Sequence, residues 1–272
     1  MSGKPRVLVV GSGAIGGVIS TLVAHDNQAD VHVLSRNQTV AETLRVNGLS
    51  AIVVGGPTAA QATIHTAPPD ETFDFILLAT QPPSVEAAAQ SVLTCLADDG
   101  RMVVLQNGLC EERIAAICGP SRTIGGIVAF GASTTTPGVF ERTSHGGFVI
   151  GRIDGTQDQQ LDALQRILMA VGPVKQTDNL LGARFSKLAI NCAVSGLGTV
   201  AGTALGTMLK DRTARNIALA VMREAVAVSR AEGIALESLN GTFDLNWVGA
   251  PHAPNRGPSH WARHALLLSV GF

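Results

Sequence analysis

The chain has 272 residues and a mass of 28.1 kDa, which suits one large domain or two modest ones. Apolar residues make up 46% and charged residues only 15%, so the chain can bury a core and global disorder is excluded. Twenty basic residues against 21 acidic ones give a net charge of −1, which argues against a general binder of nucleic acids or anionic membranes.

The first part of the chain alternates short apolar runs with helical stretches. This alternation is typical of a parallel sheet that is covered by helices on both faces. The predicted strands lie over residues 6–10, 30–34, 50–54, 62–65, 73–79 and 101–105. The predicted helices lie over residues 14–24, 40–47, 83–96 and 111–117.

The pattern changes between residues 125 and 150, where three extended stretches are separated by two turn signals. Pro137-Gly138 occupies the central positions of a type II turn, and His145-Gly146-Gly147 marks the second turn. We predict an antiparallel extension of the sheet here. An amphipathic helix over residues 158–171 and a short strand over residues 174–177 follow.

From Leu180 onward the pattern is almost wholly helical. The predicted helices lie over residues 180–197, 203–209 and 213–232, and a loop rich in Pro and Gly precedes a short apolar run at residues 261–270. We therefore predict an α/β domain over residues 1–178 and a helical domain over residues 179–272, with a boundary near Asp178–Asn179.

A glycine-rich motif, Gly11-Ser12-Gly13-Ala14-Ile15-Gly16, joins the first predicted strand to the first predicted helix. It fits the dinucleotide-binding pattern G-x-G-x-x-G in the context that the pattern requires. The first glycine permits a tight turn, the second lets the backbone approach a pyrophosphate, and the third lets the helix pack against the strand. A loop that only makes a turn is the alternative, but the strand, the spacing and the helix favour dinucleotide binding.

The end of the second strand indicates which dinucleotide binds. An NAD enzyme usually carries Asp or Glu there to hold the ribose 2′-hydroxyl, whereas this chain has Ser35 and Arg36. A guanidinium pairs well with a 2′-phosphate, so Ser35 and Arg36 favour NADPH. The alternative is a surface arginine with no ligand.

Three polar residues, Lys187, Asn191 and Ser195, are spaced i, i+4 and i+8 in an otherwise apolar segment. On an α-helix this spacing places them on one face. Buried polar groups need partners, and a bound substrate is one candidate partner. In the alternative interpretation, the lysine reaches solvent while the other two side chains bond a neighbouring helix.

Three motifs together resemble the 2-dehydropantoate 2-reductase (ketopantoate reductase) family over nearly all of the chain. They are the glycine motif with Gly17, the sequence Gln106-Asn107-Gly108 after a strand, and the distinctive helix Ser186-Lys187-Leu188-Ala189-Ile190-Asn191-Cys192. The resemblance implies a Rossmann-type NADPH domain followed by an all-helical domain like the C-terminal domain of 6-phosphogluconate dehydrogenase, with the active site between them.

The resemblance also implies the reaction, which is reduction of a 2-oxo acid, 2-dehydropantoate, to D-pantoate on the route to pantothenate and coenzyme A. Lys187 matches the family's catalytic lysine, which donates a proton to the carbonyl oxygen. Asn191, Ser195 and Asn107 correspond to substrate-binding positions. The resemblance also places Asn107 near the nicotinamide end of the cofactor. Asn107 and Gln81 therefore join the glycine motif, Ser35 and Arg36 as expected cofactor-binding residues.

The chain departs from the family pattern at three places. Gln81 stands where many members carry a lysine, Ser195 replaces a second asparagine, and the chain ends at Phe272 before the family's last motifs. We therefore expect an incomplete helical domain. A reductase of a different 2-oxo acid and a non-catalytic NADP(H)-binding protein remain alternatives, and a homodimer stays open.

The remaining signals predict no metal, no membrane and no nucleic acid. The four cysteines match no zinc pattern, so we expect reduced, mostly buried thiols in a cytoplasmic protein. No signal peptide pattern precedes the first strand. The uncharged stretch over residues 188–206 is weakly hydrophobic and predicts a buried helix instead of a membrane span.

Overall fold

The structure, a computed structural model, describes residues 3–238, 244–250 and 258–270. The chain forms two compact units, Met1–Leu180 and Leu181–Phe272. The strands of the first unit, in chain order, are β1 (Arg6–Val10), β2 (Asp30–Leu34), β3 (Leu49–Val53), β4 (Gly56–Ala60), β5 (Thr63–His65), β6 (Phe73–Leu78), β7 (Leu96–Val104), β8 (Thr123–Val128), β9 (Ala132–Thr136), β10 (Val139–Arg142), β11 (Phe148–Arg152) and β12 (Val174–Gln176).

The helices begin with α1 (Ala14–Asp26), α2 (Gln38–Asn47), α3 (Val85–Ser91), α4 (Glu111–Cys118), α5 (Gln159–Leu168) and α6 (Leu180–Asn191). They continue with α7 (Leu197–Ala201), α8 (Leu205–Lys210), α9 (Arg212–Ala231), α10 (Leu245–Val248) and α11 (Pro258–Val270). Among the described residues, no helix is both long and apolar enough to cross a membrane.

Within residues 3–180, eight strands form the main sheet in the order β5-β2-β1-β6-β7-β8-β11-β12. All neighbouring pairs are parallel except β8 and β11. The chain runs outward from β1 through β2 to β5 and then crosses back to β6, which pairs with the other side of β1. Ligands of such sheets bind at the carboxyl ends of the strands where this reversal occurs, so the fold places a crevice beside β1 and β6.

Alternating residues of the central strands enter two apolar layers, one on each face of the sheet. In β1, Val7 and Val9 pack on one face with α1, α2 and α5, while Leu8 and Val10 pack on the other with α3 and α4. This arrangement confirms the predicted α/β fold, in which a parallel sheet is covered on both faces.

The predicted extension of the main sheet is correct only for β11, which pairs antiparallel with β8. The hairpin β9–β10 instead joins a separate four-stranded sheet among the described residues, in the order β4-β3-β10-β9. The physical reason lies in Phe140 of β10, which is fully buried and packs against α1. A methyl group at Gly17 of α1 would overlap the Phe140 ring, so the glycine is what lets β10 pack closely against α1.

The helix predicted over residues 83–96 is shorter in the structure. Residues 82–84 form a 3₁₀ turn, α3 ends at Ser91, and Leu96 already belongs to β7. Val92 is fully buried and has left the helical conformation, with φ −111° and ψ 11°. Burial of this β-branched side chain therefore outweighs the helical pattern at the end of the segment.

The second unit contains its own apolar core. Its buried members come from α6, the turn after α6, and α9 to α11, and they include Ala189, Leu219, Met222, Leu245 and Leu267. The predicted loop between residues 249 and 258 lies mostly outside the described residues.

Candidate cofactor and substrate sites

The turn between β1 and α1 has the backbone geometry that the glycine motif predicts. Gly11 has φ +110°, a conformation that side chains disfavour, and a Cβ atom there would lie 3.0 Å from the carbonyl oxygen of Ala79. A methyl group at Gly16 would overlap the carbonyl oxygen of Gly11. At Gly13, in contrast, no atom lies within 4 Å of the Cβ position. Neighbouring protein atoms therefore leave no room for a side chain at Gly11 or Gly16, whereas the space beside Gly13 is open.

The amino end of α1 carries unneutralised positive charge. Gly13 is the N-cap and has no side chain, so Ala14, Ile15 and Gly16 carry the N–H groups at the end of the helix. No acidic residue occurs in the first turn. This combination of free N–H groups, helix dipole and open space suits an anion such as a pyrophosphate.

A cleft of about 300 Å³ opens at the carboxyl ends of three neighbouring strands. It is lined by residues 10–13 after β1, residues 34–37 after β2, residues 79–81 after β6, and Ser84, Ala88 and Ser91. The cleft brings together the predicted cofactor residues Gly11, Ser12, Gly13, Ser35, Arg36 and Gln81. Asn107 is exposed on the loop after β7 and does not line this cleft.

Hydrogen bonds fix the strand ends around the cleft. The Gly11 N–H donates to the Leu34 carbonyl at 3.0 Å, and the Ala79 N–H donates to the Val10 carbonyl at 2.9 Å. The Ser12 hydroxyl donates to the Ser35 hydroxyl at 2.6 Å, which ties the glycine turn to the end of β2. These bonds hold the three strand ends in one arrangement.

The end of β2 presents a cation and no carboxylate to the cleft. Arg36 is exposed and makes no ion pair with any described residue. Ser35 is buried, and the Asn37 side chain accepts the Val40 N–H at 3.1 Å and so caps α2. Arg36 is therefore the charged side chain that this part of the cleft offers to a ligand.

Sequence reasoning missed Gln106, the residue before Asn107. Gln106 is buried, and its side-chain N–H groups donate to the carbonyls of Leu78 and Thr80, each at 3.0 Å. It therefore ties the loop after β7 to the loop after β6, where Thr80 and Gln81 line the cleft. The missed lining residue Thr80 lies two residues after β6, so the strand-end rule could have found it, whereas the other missed residue, Ser84, ends the 3₁₀ turn that comes next.

We expect Gln106→Leu to lower the free energy of unfolding by about 1–3 kcal/mol, because the Thr80 carbonyl loses its buried donor. The Kd for NADPH should rise several-fold, since the loop carrying Gln81 loses the hydrogen bond that Gln106 donates to Thr80. Chemical denaturation and a fluorescence titration of NADPH measure the two effects. Gln90→Leu, on the exposed face of α3, is the control and should change neither. Unchanged stability and unchanged NADPH affinity in Gln106→Leu would show that the tie is dispensable.

In the second unit, Lys187 lies on α6 one turn after the buried Arg184. Lys187 is only partly exposed. Burial lowers the pKa of its ammonium group, and the neighbouring charge of Arg184 lowers the pKa further. An amine whose pKa is brought toward neutrality is suited to exchanging a proton.

The α-helical register that the polar stripe assumes ends at Asn191. Residues 192–196 form a π-helical turn, and Ser195 is an exposed residue within it. Lys187 and Asn191 keep the i, i+4 relation of an α-helix, but the relation does not extend to Ser195, because hydrogen bonds in a π turn reach five residues instead of four. The single helix predicted over residues 180–197 is therefore wrong in this last turn. Such turns occur frequently at functional sites.

Cysteine and histidine side chains form no metal centre among the residues described. No group of three or more His, Cys, Asp or Glu there could hold a metal ion. Cys95, Cys110 and Cys118 are buried, whereas Cys192 is exposed. His264 accepts a hydrogen bond from the Arg215 guanidinium at 2.9 Å.

Comparison with protein families gives two consecutive matches. Residues 7–155 match the model described as ketopantoate reductase PanE/ApbA, and residues 179–247 match its C-terminal model. Together the two matches cover most of the α/β part of the chain and most of the helical part, including α6, which contains Lys187.

Individual proteins give consistent results. A 2-dehydropantoate 2-reductase of Pyrococcus horikoshii is 26% identical over 85% of this chain and 76% of its own length. The crystal structure of a 2-dehydropantoate 2-reductase from Geobacter metallireducens GS-15 has a TM-score of 0.79 at 24% identity and covers 98% of this chain and 91% of its own. A D-mandelate dehydrogenase solved with NADH and anilino(oxo)acetate has a TM-score of 0.78 at 21% identity, over 90% of this chain and 78% of its own.

Proposed function

This chain belongs to the ketopantoate reductase family, as its three motifs predict, and we propose that it reduces 2-dehydropantoate to D-pantoate with NADPH. The observation that carries the proposal is the cleft at the strand ends, where the open glycine turn and Arg36 occur together. We keep the division into a cofactor domain over residues 1–178 and a substrate domain over residues 179–272 as part of the proposal. The product lies on the route to pantothenate and coenzyme A.

The residues of the first unit fit a dinucleotide. The open space at Gly13 and the N–H groups of Ala14, Ile15 and Gly16 suit the pyrophosphate, with Gly11 and Ser12 forming the turn below it. Ser35 and Arg36 hold the 2′-phosphate. Gln81 and Asn107 serve the nicotinamide end. A dinucleotide held there would supply a hydride for carbon 2 of the substrate.

Lys187 acts as the general acid. Its protonated amine donates a hydrogen bond to the carbonyl oxygen of the 2-oxo acid, polarises the C=O bond, and gives up a proton as negative charge develops on that oxygen. The product is the secondary alcohol, and the neutral Lys187 regains its proton from solvent. Asn107, Asn191 and Ser195 supply side-chain amides and a hydroxyl that orient the substrate.

The test of the proposal is spectrophotometric NADPH oxidation with 2-dehydropantoate, with NADPH binding measured on the same sample. Turnover supports the proposed reaction. Binding without turnover on 2-dehydropantoate leads to a panel of other 2-oxo acids. A different 2-oxo acid is the second candidate substrate, favoured by the neutral Gln81 at a position where many family members carry a cation. Binding with no turnover on the whole panel would instead support a non-catalytic NADP(H)-binding protein.

We expect Arg36→Ala to reduce the preference for NADPH over NADH at least tenfold, since Arg36 is the cation that the β2 end presents to the cleft. The ratio of kcat/KM for the two cofactors measures the preference. Arg230→Ala, which removes an exposed arginine of α9, is the matched control and should leave the ratio unchanged. A wild-type preference for NADH, or a ratio unchanged in Arg36→Ala, would contradict 2′-phosphate recognition by Arg36.

A further inference from the structure

A second cleft, of about 260 Å³, lies in the first unit and shares no lining residue with the cofactor cleft. One of its walls is aliphatic and includes Leu22 of α1, Val53 and Val54 at the end of β3, and Val171 after α5. The other side carries Arg142, the hydroxyl residues Thr143 and Ser144, and His145. An apolar cavity with a few convergent polar groups is the usual form of a small-molecule site.

Arg142 is the permanently charged group of this second cleft, and its position is fixed. Its Nε donates to the Ser144 carbonyl at 3.2 Å, while its two terminal nitrogens donate to the carbonyls of Val171 and Gly146. The guanidinium also lies over the Phe130 ring, 4.8 Å from the centroid. A planar guanidinium with five N–H groups keeps two of them after these three bonds.

The charge of Arg142 has no acidic partner among the residues described. No described carboxylate forms a salt bridge with it, and its pKa is lowered by burial, with no neighbouring charge as a cause. Glu141, the adjacent residue, points to the opposite side of the strand and lies 3.5 Å from the Ser133 hydroxyl. A half-buried cation that pairs only with carbonyl groups is left with uncompensated charge.

We propose that this second cleft binds a small aliphatic monocarboxylate, with the carboxylate on Arg142 and the alkyl group against Leu22, Val53, Val54 and Val171. One guanidinium matches the charge of one carboxylate and its planar geometry. A dianionic phosphate suits the cleft less well, because its walls are mainly aliphatic. The Ser144 hydroxyl, which accepts the Gly131 N–H at 2.7 Å, retains its own hydrogen to donate.

The experiment uses the full chain with labelled Leu and Val methyl groups, titrated with isovalerate and followed by NMR. Isovaleramide is the neutral molecule of the same shape. We expect saturable shifts of the Leu22, Val53 and Val171 methyl signals with isovalerate, and binding of isovaleramide at least fivefold weaker. The proposal is independent of the proposed function, since the titration contains neither NADPH nor 2-oxo acid.

Charge substitutions at the rim test the site without disturbing the bonds of Arg142. Val54 is 80% exposed, so Val54→Glu should weaken isovalerate binding about three- to tenfold and Val54→Lys should strengthen it. Val46, which is 72% exposed on α2 and does not line the cleft, gives the matched controls Val46→Glu and Val46→Lys. No saturable shift, equal binding of the amide, shifts confined to the cofactor cleft, or equal affinities in both Val54 variants would each overturn the proposal.

Discussion

Replacing Lys187 with alanine should lower kcat for NADPH-dependent reduction of 2-dehydropantoate by about 10²- to 10⁴-fold, the usual contribution of a positioned general acid. The substitution removes the ammonium group but none of the residues that line the cofactor cleft in the first unit. The Kd for NADPH should therefore stay within about twofold of the wild-type value. Steady-state kinetics and a fluorescence titration measure the two quantities on the same preparation.

Two further variants separate proton transfer from charge alone. Lys187→Arg keeps a positive charge but holds its proton too tightly to donate it, so it should recover little of the lost rate. Lys210→Ala, at the exposed end of α8, should retain wild-type kinetics. A Lys187→Ala enzyme with wild-type kcat would remove Lys187 from the mechanism and leave the fold assignment untouched.

The pH profile of the wild-type enzyme gives a second readout of Lys187. Reduction needs the protonated amine, so the rate should fall as pH rises through the pKa of Lys187, which burial and Arg184 place below the ordinary lysine value. Oxidation of D-pantoate with NADP⁺ needs the neutral amine and should become faster through the same pH range. Profiles that show no inflection in either direction below the ordinary lysine pKa would contradict this role.

The second large effect is expected at the glycine turn, where Gly16→Ala should lower the free energy of unfolding by about 3 kcal/mol. The added methyl group would overlap the Gly11 carbonyl oxygen and approach the Ala79 methyl group at 3.1 Å, and neither neighbour is the flexible end of a side chain. The turn must then move away from α1, so NADPH affinity should fall as well. Urea denaturation and NADPH titration measure these changes.

Gly13→Ala is the matched variant because its Cβ meets no protein atom within 4 Å and its φ of −75° is open to alanine. Its stability should equal that of the wild type. Its NADPH affinity should nevertheless fall about tenfold or more, since the methyl group occupies the space through which a pyrophosphate approaches the turn. Full NADPH affinity in Gly13→Ala would show that the dinucleotide lies elsewhere.

The bounds of the first two strands could be predicted to the residue because the local sequence alone determines them. Arg6–Val10 and Asp30–Leu34 are short apolar runs between clear turn signals, and both lie where they were predicted. Gly56–Ala60 was missed, because Gly, Pro and Ala have low strand propensity and Pro57 is tolerated only because β4 is at the edge of its sheet. The placement of Phe140 depends on a helix more than 100 residues earlier, which no local pattern reports.

The residues of the candidate site also fall into two groups, those that the local sequence predicts and those that it does not. The glycine turn, Ser35 and Arg36 follow directly after strands, so a rule about strand ends predicts their meeting in one cleft. Gln106 was not predicted, because its role depends on hydrogen bonds to carbonyl groups almost thirty residues earlier. The π turn after Asn191 was not predicted either, since the apolar sequence there is equally compatible with an uninterrupted α-helix.

The packing of Phe140 against α1 also sets an order of events during synthesis. The helix that follows the glycine turn is complete at Asp26, but the strand that covers its Gly17 face ends only at Arg142. More than half of the chain must therefore leave the ribosome before that face is covered, although strands β1 to β4, which also pack against α1, are synthesised earlier.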